Sequence, residues 1–321
     1  MPMPFAQAWR RWCTGAAPCR APTVGAAAVS ENVDEVMHSG ADVAPASTDA
    51  ADELAALPDS SDFFQRLTGD RCVAEADAPP HEHEDRFLDR LGALLDSGEP
   101  LAPWVPRPPS MLPRLLACLR GDEPSLRDAS ALVRADPQLV VEIVRQANSA
   151  RMQHAAPVAD LEHAVLRLGV DGLLRVAGSS VMRPLYDARQ DELLARAAPK
   201  LGKLALAKSL LCYMQAPRSG VDAFDAYLAG LTHNVGWVGV LRALGRHAPP
   251  APRPYSRSFV VQLSRLSERM YGASAEQWQI NEALTGLGSA LRESTLGQST
   301  LPLARVLWRA ETEVVRKLLS A

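Results

Sequence analysis

Aromatic side chains are scarce in this chain: Phe, Tyr and Trp make up 5% of its 321 residues. A protein that holds single-stranded nucleic acid by stacking needs a platform of such rings, so the shortage argues against that role. Lysine is scarcer still, with Lys200, Lys203, Lys208 and Lys317 against 30 arginines. The arginines are interleaved with acids and form no basic block, so nucleic acid is not expected as a partner. The five cysteines (Cys13, Cys19, Cys72, Cys118, Cys212) are odd in number and contain no CxxC pair. Neither a zinc knuckle nor a disulfide framework is indicated, which fits a reducing cytoplasm. No apolar run approaches the length of a membrane span, and no apolar core follows Arg10 and Arg11 as a secretory signal requires. Walker loops, dinucleotide-binding glycine fingerprints and Gly-x-Ser-x-Gly elbows are all missing. No stretch alternates polar with β-branched apolar residues, which excludes a sheet-based fold.

What is present is an uneven charge. Residues 31–99 carry 18 acids against 4 bases, whereas residues 100–321 carry 19 acids against 27 bases. The acidic part is rich in Ala, Pro, Ser and Asp, and residues 1 to about 60 hold too few large apolar groups to offset their ordering entropy. We therefore expect residues 1–103 to be largely disordered, with short amphipathic helices near 62–72 and 86–95. Between these, His81 and His83 with their neighbouring acids could hold a transition metal, but the context favours a solvated linker. The acidic tail could also fold back on the basic body as a salt-sensitive clamp, although a merely solvated tail is the preferred reading.

Beyond the prolines of 100–113 the apolar spacing is helical. Leu112, Leu115, Leu116 and Leu119 fall at i, i+3, i+4 and i+7, as do Leu161, Ala164, Val165 and Leu168. Asp136 before Pro137 predicts a capped helix start, and Asp160 and Asp171 can cap others. Gly169 and Gly202 can stop or bend a helix. Asn148 and Ser149 close a helical face and are expected to bond orphan carbonyls or a neighbouring loop. Gly230 and Gly236 bracket His233 and would let helices approach closely. The body is predicted to be all-α, with a compact domain over 104–295. A last helix within 296–321, carrying Leu303, Leu307, Val314 and Leu318, is expected to close the core or dimerise.

Several of these segments, in order, resemble the HDOD family, a divergent branch of the HD superfamily found in bacterial signalling proteins. Pro108–Leu116 looks like its first helix. Ala135-Asp-Pro-Gln-Leu139 followed by Val144-Arg-Gln-Ala-Asn-Ser149 resembles its most distinctive signature. Leu161–Gly169 matches the next helix and its Leu-Gly stop, Ala229–Gly236 falls on the HD-like segment, and Trp278–Leu284 resembles a late helix start centred on tryptophan. The resemblance implies a compact multi-helix domain acting as an output or adaptor module, through contacts with signalling proteins or a bound small molecule.

A catalytic HD centre needs several imidazoles and carboxylates from separate helices converging on metal. Here the central pair is His233-Asn234, and an amide oxygen is a poorer cation ligand than a carboxylate. The helix expected to give the first histidine, Lys200–Ala207, has none, Lys203 would bring a positive charge there, and no histidine follows His247. We expect no catalysis, no resident metal and no cofactor. His233 reads first as a core histidine. A further possibility is that His233, Asn234 and Lys203 line a pocket for a phosphate-containing ligand. His154 and His163 read as surface residues. The alternative functions are a metal-dependent phosphohydrolase acting on a nucleotide or cyclic dinucleotide and, after it, a nucleic-acid-binding regulator.

Overall fold

Short polar side chains placed before apolar runs start most of the helices. In the computed structural model of the chain, residues 60–70, 72, 81–106, 108, 111–120, 125–148, 158, 160–186, 191–247 and 254–320 are described. Asp136 accepts from the free N–H groups of Gln138 and Leu139 at 3.0 and 3.2 Å while Pro137 occupies the first helical position. Asp160 accepts from His163 N, Asp191 from Leu194 N, Ser256 from Phe259 N and Asn281 from Leu284 N.

The helices in chain order are α1 (Ser60–Thr68), α2 (Glu82–Asp96), α3 (Met111–Arg120), α4 (Leu126–Arg134), α5 (Pro137–Ala147) and α6 (Leu161–Met182). They are followed by α7 (Glu192–Gln215), α8 (Ala223–Thr232), α9 (Val235–His247), α10 (Arg257–Trp278), α11 (Glu282–Glu293) and α12 (Pro302–Ser320). Among the described residues there is no strand, only an isolated bridge between Cys72 and Tyr255. The all-α expectation holds. No helix among these residues is long and apolar enough to cross a membrane. Residues 1–59, Ser149 and His154 lie outside the described residues, and with them the expectations for the tail and for those two side chains.

The long helix α7 packs against α1, α8, α9 and α12, and α9 in turn packs on α10, which pairs with α11. The helices α3 to α6 form the other half and meet α8 through α6. Glycines set the closest crossings. A Cβ on Gly230 would come within 2.7 Å of the Ser209 backbone, and one on Gly236 within 2.0 Å of the Ser267 carbonyl oxygen. Both helix pairs flanking His233 therefore touch backbone to backbone, as the two glycines predict. Gly169 (φ 68°) puts a kink inside α6 rather than a stop. At Gly202, by contrast, α7 continues without a break. Asp171 caps nothing; it sits past the kink and accepts from the Tyr213 hydroxyl at 3.3 Å.

The two amphipathic stretches before the body are α1 and α2, and both enter the common core. Phe63 and Phe64 lie 5.6 and 6.3 Å from the Trp237 ring on α9, and Phe87 lies 6.0 Å from Phe259 on α10. The run read as a solvated linker at His81–Asp85 is instead the start of α2. Glu84 is buried and accepts from His81 N at 2.8 Å, Ser256 N at 3.0 Å and Ser256 Oγ at 2.7 Å. One carboxylate thus serves the N-termini of α2 and α10, where acids complement the helix dipole. The His81 and His83 rings stack on each other at 5.5 Å. Asn148 clasps the next loop: its Nδ2 donates to Val158 O at 2.6 Å and its Oδ1 accepts from Val158 N at 2.8 Å. Trp278 is the buried last residue of α10, and Asn281 just beyond it also donates to Asp225 at 3.0 Å.

Candidate functional site

The tight crossings of α7, α8, α9 and α10 leave His233 and Asn234, at the α8–α9 junction, fully inside the protein. Facing them is Lys208 of α7, whose side chain has no exposure to solvent (0%). Its Nζ lies 2.8 Å from His233 Nδ1 and 2.6 Å from Asn234 Oδ1, and it pairs with Glu311 of α12. An ammonium carries three protons and no lone pair, so these three acceptors satisfy it completely. Asn234 Nδ2 donates to Leu201 O at 3.0 Å, which fixes the orientation of the amide. An aspartate could accept from Lys208 but could not give that second bond.

Burial, and after it the Lys208 charge, hold the His233 imidazole well below its ordinary pKa, so the ring is neutral. Because Nδ1 accepts from Lys208, the proton sits on Nε2, which is buried and has no partner among the described residues. The Tyr271 ring meets the imidazole edge to face at 5.2 Å, and the Tyr271 hydroxyl lies 3.3 Å from Thr232 Oγ1. Burial pushes this hydroxyl well above its ordinary range and the nearby Cys212 thiol up to about 12, so neither ionises near neutrality. A second carboxyl, Glu268 of α10, is lifted by burial to about 7 and accepts from Leu296 N at 2.7 Å.

The cation expected from Lys203 comes from Lys208 instead. Lys203 is on the exposed face of α7, and the structure brings together His233 and Asn234 without it. Lys208 and Glu311 were not singled out in the sequence. Lys208 could have been, since Leu201, Ala205, Lys208 and Cys212 share one buried face of α7. Glu311 carries no local signal. His163 is exposed and pairs with Asp160 at 2.7 Å, as a surface histidine should. A separate surface groove of about 330 Å³, bordered by Arg86, Phe87, Arg90 and Trp104, contains none of the central residues.

The donor set does not fit the divalent metal of a catalytic HD centre. His233 Nδ1 and Asn234 Oδ1 are both engaged by the ammonium of Lys208, and with Nδ1 accepting, Nε2 carries the ring proton and offers no lone pair. Among the described residues no three His, Cys, Asp or Glu side chains converge in metal-binding fashion.

The HDOD domain family model matches residues 105–289. The chain belongs to the HDOD family. A candidate metal-dependent phosphohydrolase of Shewanella amazonensis SB2B shares the fold at 19% identity, with a TM-score of 0.54 over 72% of this chain and 82% of that one. An HDOD domain protein with unknown function from Geobacter sulfurreducens is 18% identical, with a TM-score of 0.51 over 71% and 77%. An uncharacterized protein of Treponema pallidum (strain Nichols) is 30% identical over 140 residues, 42% of this chain. The HDOD chain spans only 26% of the length of that relative.

Proposed function

We propose that this HDOD protein is a non-catalytic regulatory module of the bacterial cytoplasm, serving signal transduction as an output or adaptor through protein contacts or a small ligand. The observation that carries the reading is the Lys208 ammonium seated against His233 and Asn234. A divalent ion ligated by His233 Nδ1 and Asn234 Oδ1 would need the place the ammonium holds, 2.8 and 2.6 Å from those atoms. It would have to expel that charge or face its repulsion, with only a neutral amide oxygen and one imidazole as ligands there. The neutral side chain at 234 points the same way, because it matches a resident monovalent cation and lacks the charge a divalent one wants. Metal-activated water is then not available for attack on phosphorus. The relative from Shewanella amazonensis shares the fold, and at 19% identity the fold does not carry its activity across.

The test is elemental mass spectrometry on protein purified without chelators and offered Mn²⁺, Fe²⁺ and Zn²⁺. Substoichiometric metal is the expected result. One or more tightly held ions per chain, lost on His233→Ala, would overturn the reading and make phosphodiester hydrolysis the next assay.

A further inference from the structure

The shell around Lys208 has two origins. His233 and Asn234 belong to the matched HDOD span, residues 105–289, whereas Glu311 lies on α12, beyond its end. Both acceptors that the HDOD span places on the ammonium are neutral, and its nearest carboxyl, Glu268, is engaged by Leu296 N, so within that body no carboxylate touches Lys208. Such a charge is strongly unfavourable unless an anion meets it. A buried pair of this kind is seldom retained for stability alone, since apolar residues of equal volume usually serve as well or better. Its components also differ in depth. Lys208 is fully enclosed (0%), while the Glu311 side chain keeps 12% of its surface, which makes the carboxylate the solvent-side and exchangeable partner. On the other side of the imidazole a second buried donor of the same centre, His233 Nε2, is left without an acceptor among the described residues.

Besides the Glu311–Lys208 pair, two polar ties from other elements hold α12 and the turn before it among the described residues. Arg66 of α1 donates to Leu319 O at 3.1 Å, and Glu268 accepts from Leu296 N in the turn before α12. The rest is one apolar seam, Leu303, Val306, Leu307, Ala310 and Val314.

We infer that Glu311 is an internal stand-in for an external oxyanion, a carboxylate or phosphate group, which binds Lys208 in the HDOD body when α12 is displaced. The site is the degenerate HD centre itself, now an anion receptor, and α12 is its competitive occupant. This rests on the non-catalytic reading only in that an ammonium fills the centre.

The experiment uses the full chain with Glu311→Ala, which removes the stand-in and leaves a carboxylate-sized space. Its thermal midpoint should fall by several degrees relative to the unaltered protein. Formate, acetate or phosphate should restore it saturably, while chloride at equal ionic strength does not. Stronger recovery by formate and acetate would name a carboxylate ligand, and stronger recovery by phosphate a phosphate one. Lys208→Met combined with Glu311→Ala should lose the anion response. In the unaltered protein the effective anion should speed hydrogen exchange of the α12 amides and slow that of residues 231–236. Should Glu311→Ala fail to fold, Glu311→Gln keeps the volume, and the readout becomes anion-induced exchange of α12 at lower concentration than in the unaltered protein. Indifference to all three anions, or an equal response without Lys208, would sink the inference. Either result is independent of the metal measurement, which alone decides the non-catalytic reading.

Discussion

At the scale of single residues the amide of Asn234 does what a carboxylate could not, accepting from Lys208 and donating to Leu201 O. Asn234→Asp is therefore expected to destabilise the protein, by about 1–3 kcal/mol, because a buried acceptor loses its donor and a carbonyl comes to face a carboxylate. Urea unfolding of both forms measures this, and a neutral or stabilising outcome would contradict the network drawn here. The buried titratable groups make a second prediction. Neutral His233 removes stability as pH falls below an unfolded imidazole value near 6.5, because the unfolded chain then takes up the extra proton. Glu268 acts oppositely. Its carboxyl is raised from 4.5 to about 7, so its contribution is fully present below pH 4.5 and is lost as pH rises through about 7. Glu268→Gln keeps an acceptor for Leu296 N and removes only this dependence. The variant should gain on the unaltered protein between pH 4.5 and 7, by up to roughly 3 kcal/mol. Parallel stability curves would refute the assignment. How legible was this centre? His233-Asn234 stood out because it matched a motif with one atom type changed. The cation was expected at Lys203, and five residues turn a helix by roughly 140°, enough to move a side chain from the buried face to solvent.

At the scale of elements, the two glycines beside His233 pointed to close helix packing there, and capping residues marked several helix starts. The Asp136-Pro137 start could be read directly, since both its effects are local. The close approaches at Gly230 and Gly236 were expected from their positions beside His233, whereas Gly288, which meets the Gly272 carbonyl across α10 and α11, gave no such hint. Gly236→Ala would place a Cβ 2.0 Å from a backbone oxygen, so α9 and α10 must separate. A loss of about 3 kcal/mol or more is expected. Gly202→Ala meets nothing within 4 Å in the middle of α7 and should instead stabilise, by about 1 kcal/mol. Thermal unfolding of the pair tests the contrast, and similar losses in both would mean that helix propensity, not the crossing, governs these positions. The start of α2 was misread for an intelligible reason. Acids and histidines after two prolines look solvated until the Ser256 donors that bury Glu84, 172 residues away in sequence, are known.

At the scale of the molecule, the family span and the folded unit do not coincide. The match covers 105–289, yet α1, α2 and α12 lie outside it and contribute Phe64, Leu67, Phe87, Leu91 and Val306 to one continuous core. Local patterns could place these helices in the sequence but not on the body. Docking is settled by distant partners: α1 by Trp237, Tyr255 and Lys200, which donates to Arg66 O at 2.6 Å, and α12 by Lys208. A fragment of residues 105–289 would expose the apolar faces these helices cover, and it would leave the Lys208 charge enclosed without its carboxylate. Losing even one buried aromatic such as Phe64 costs about 3–5 kcal/mol, comparable with the whole stability of many domains. The fragment should therefore aggregate or lack a cooperative transition, whereas residues 60–320 should unfold in one step in calorimetry. A fragment 105–289 that melts cooperatively at the midpoint of the longer chain would show that the flanking helices are accessory. It would also free the Lys208 centre for direct study with added anions.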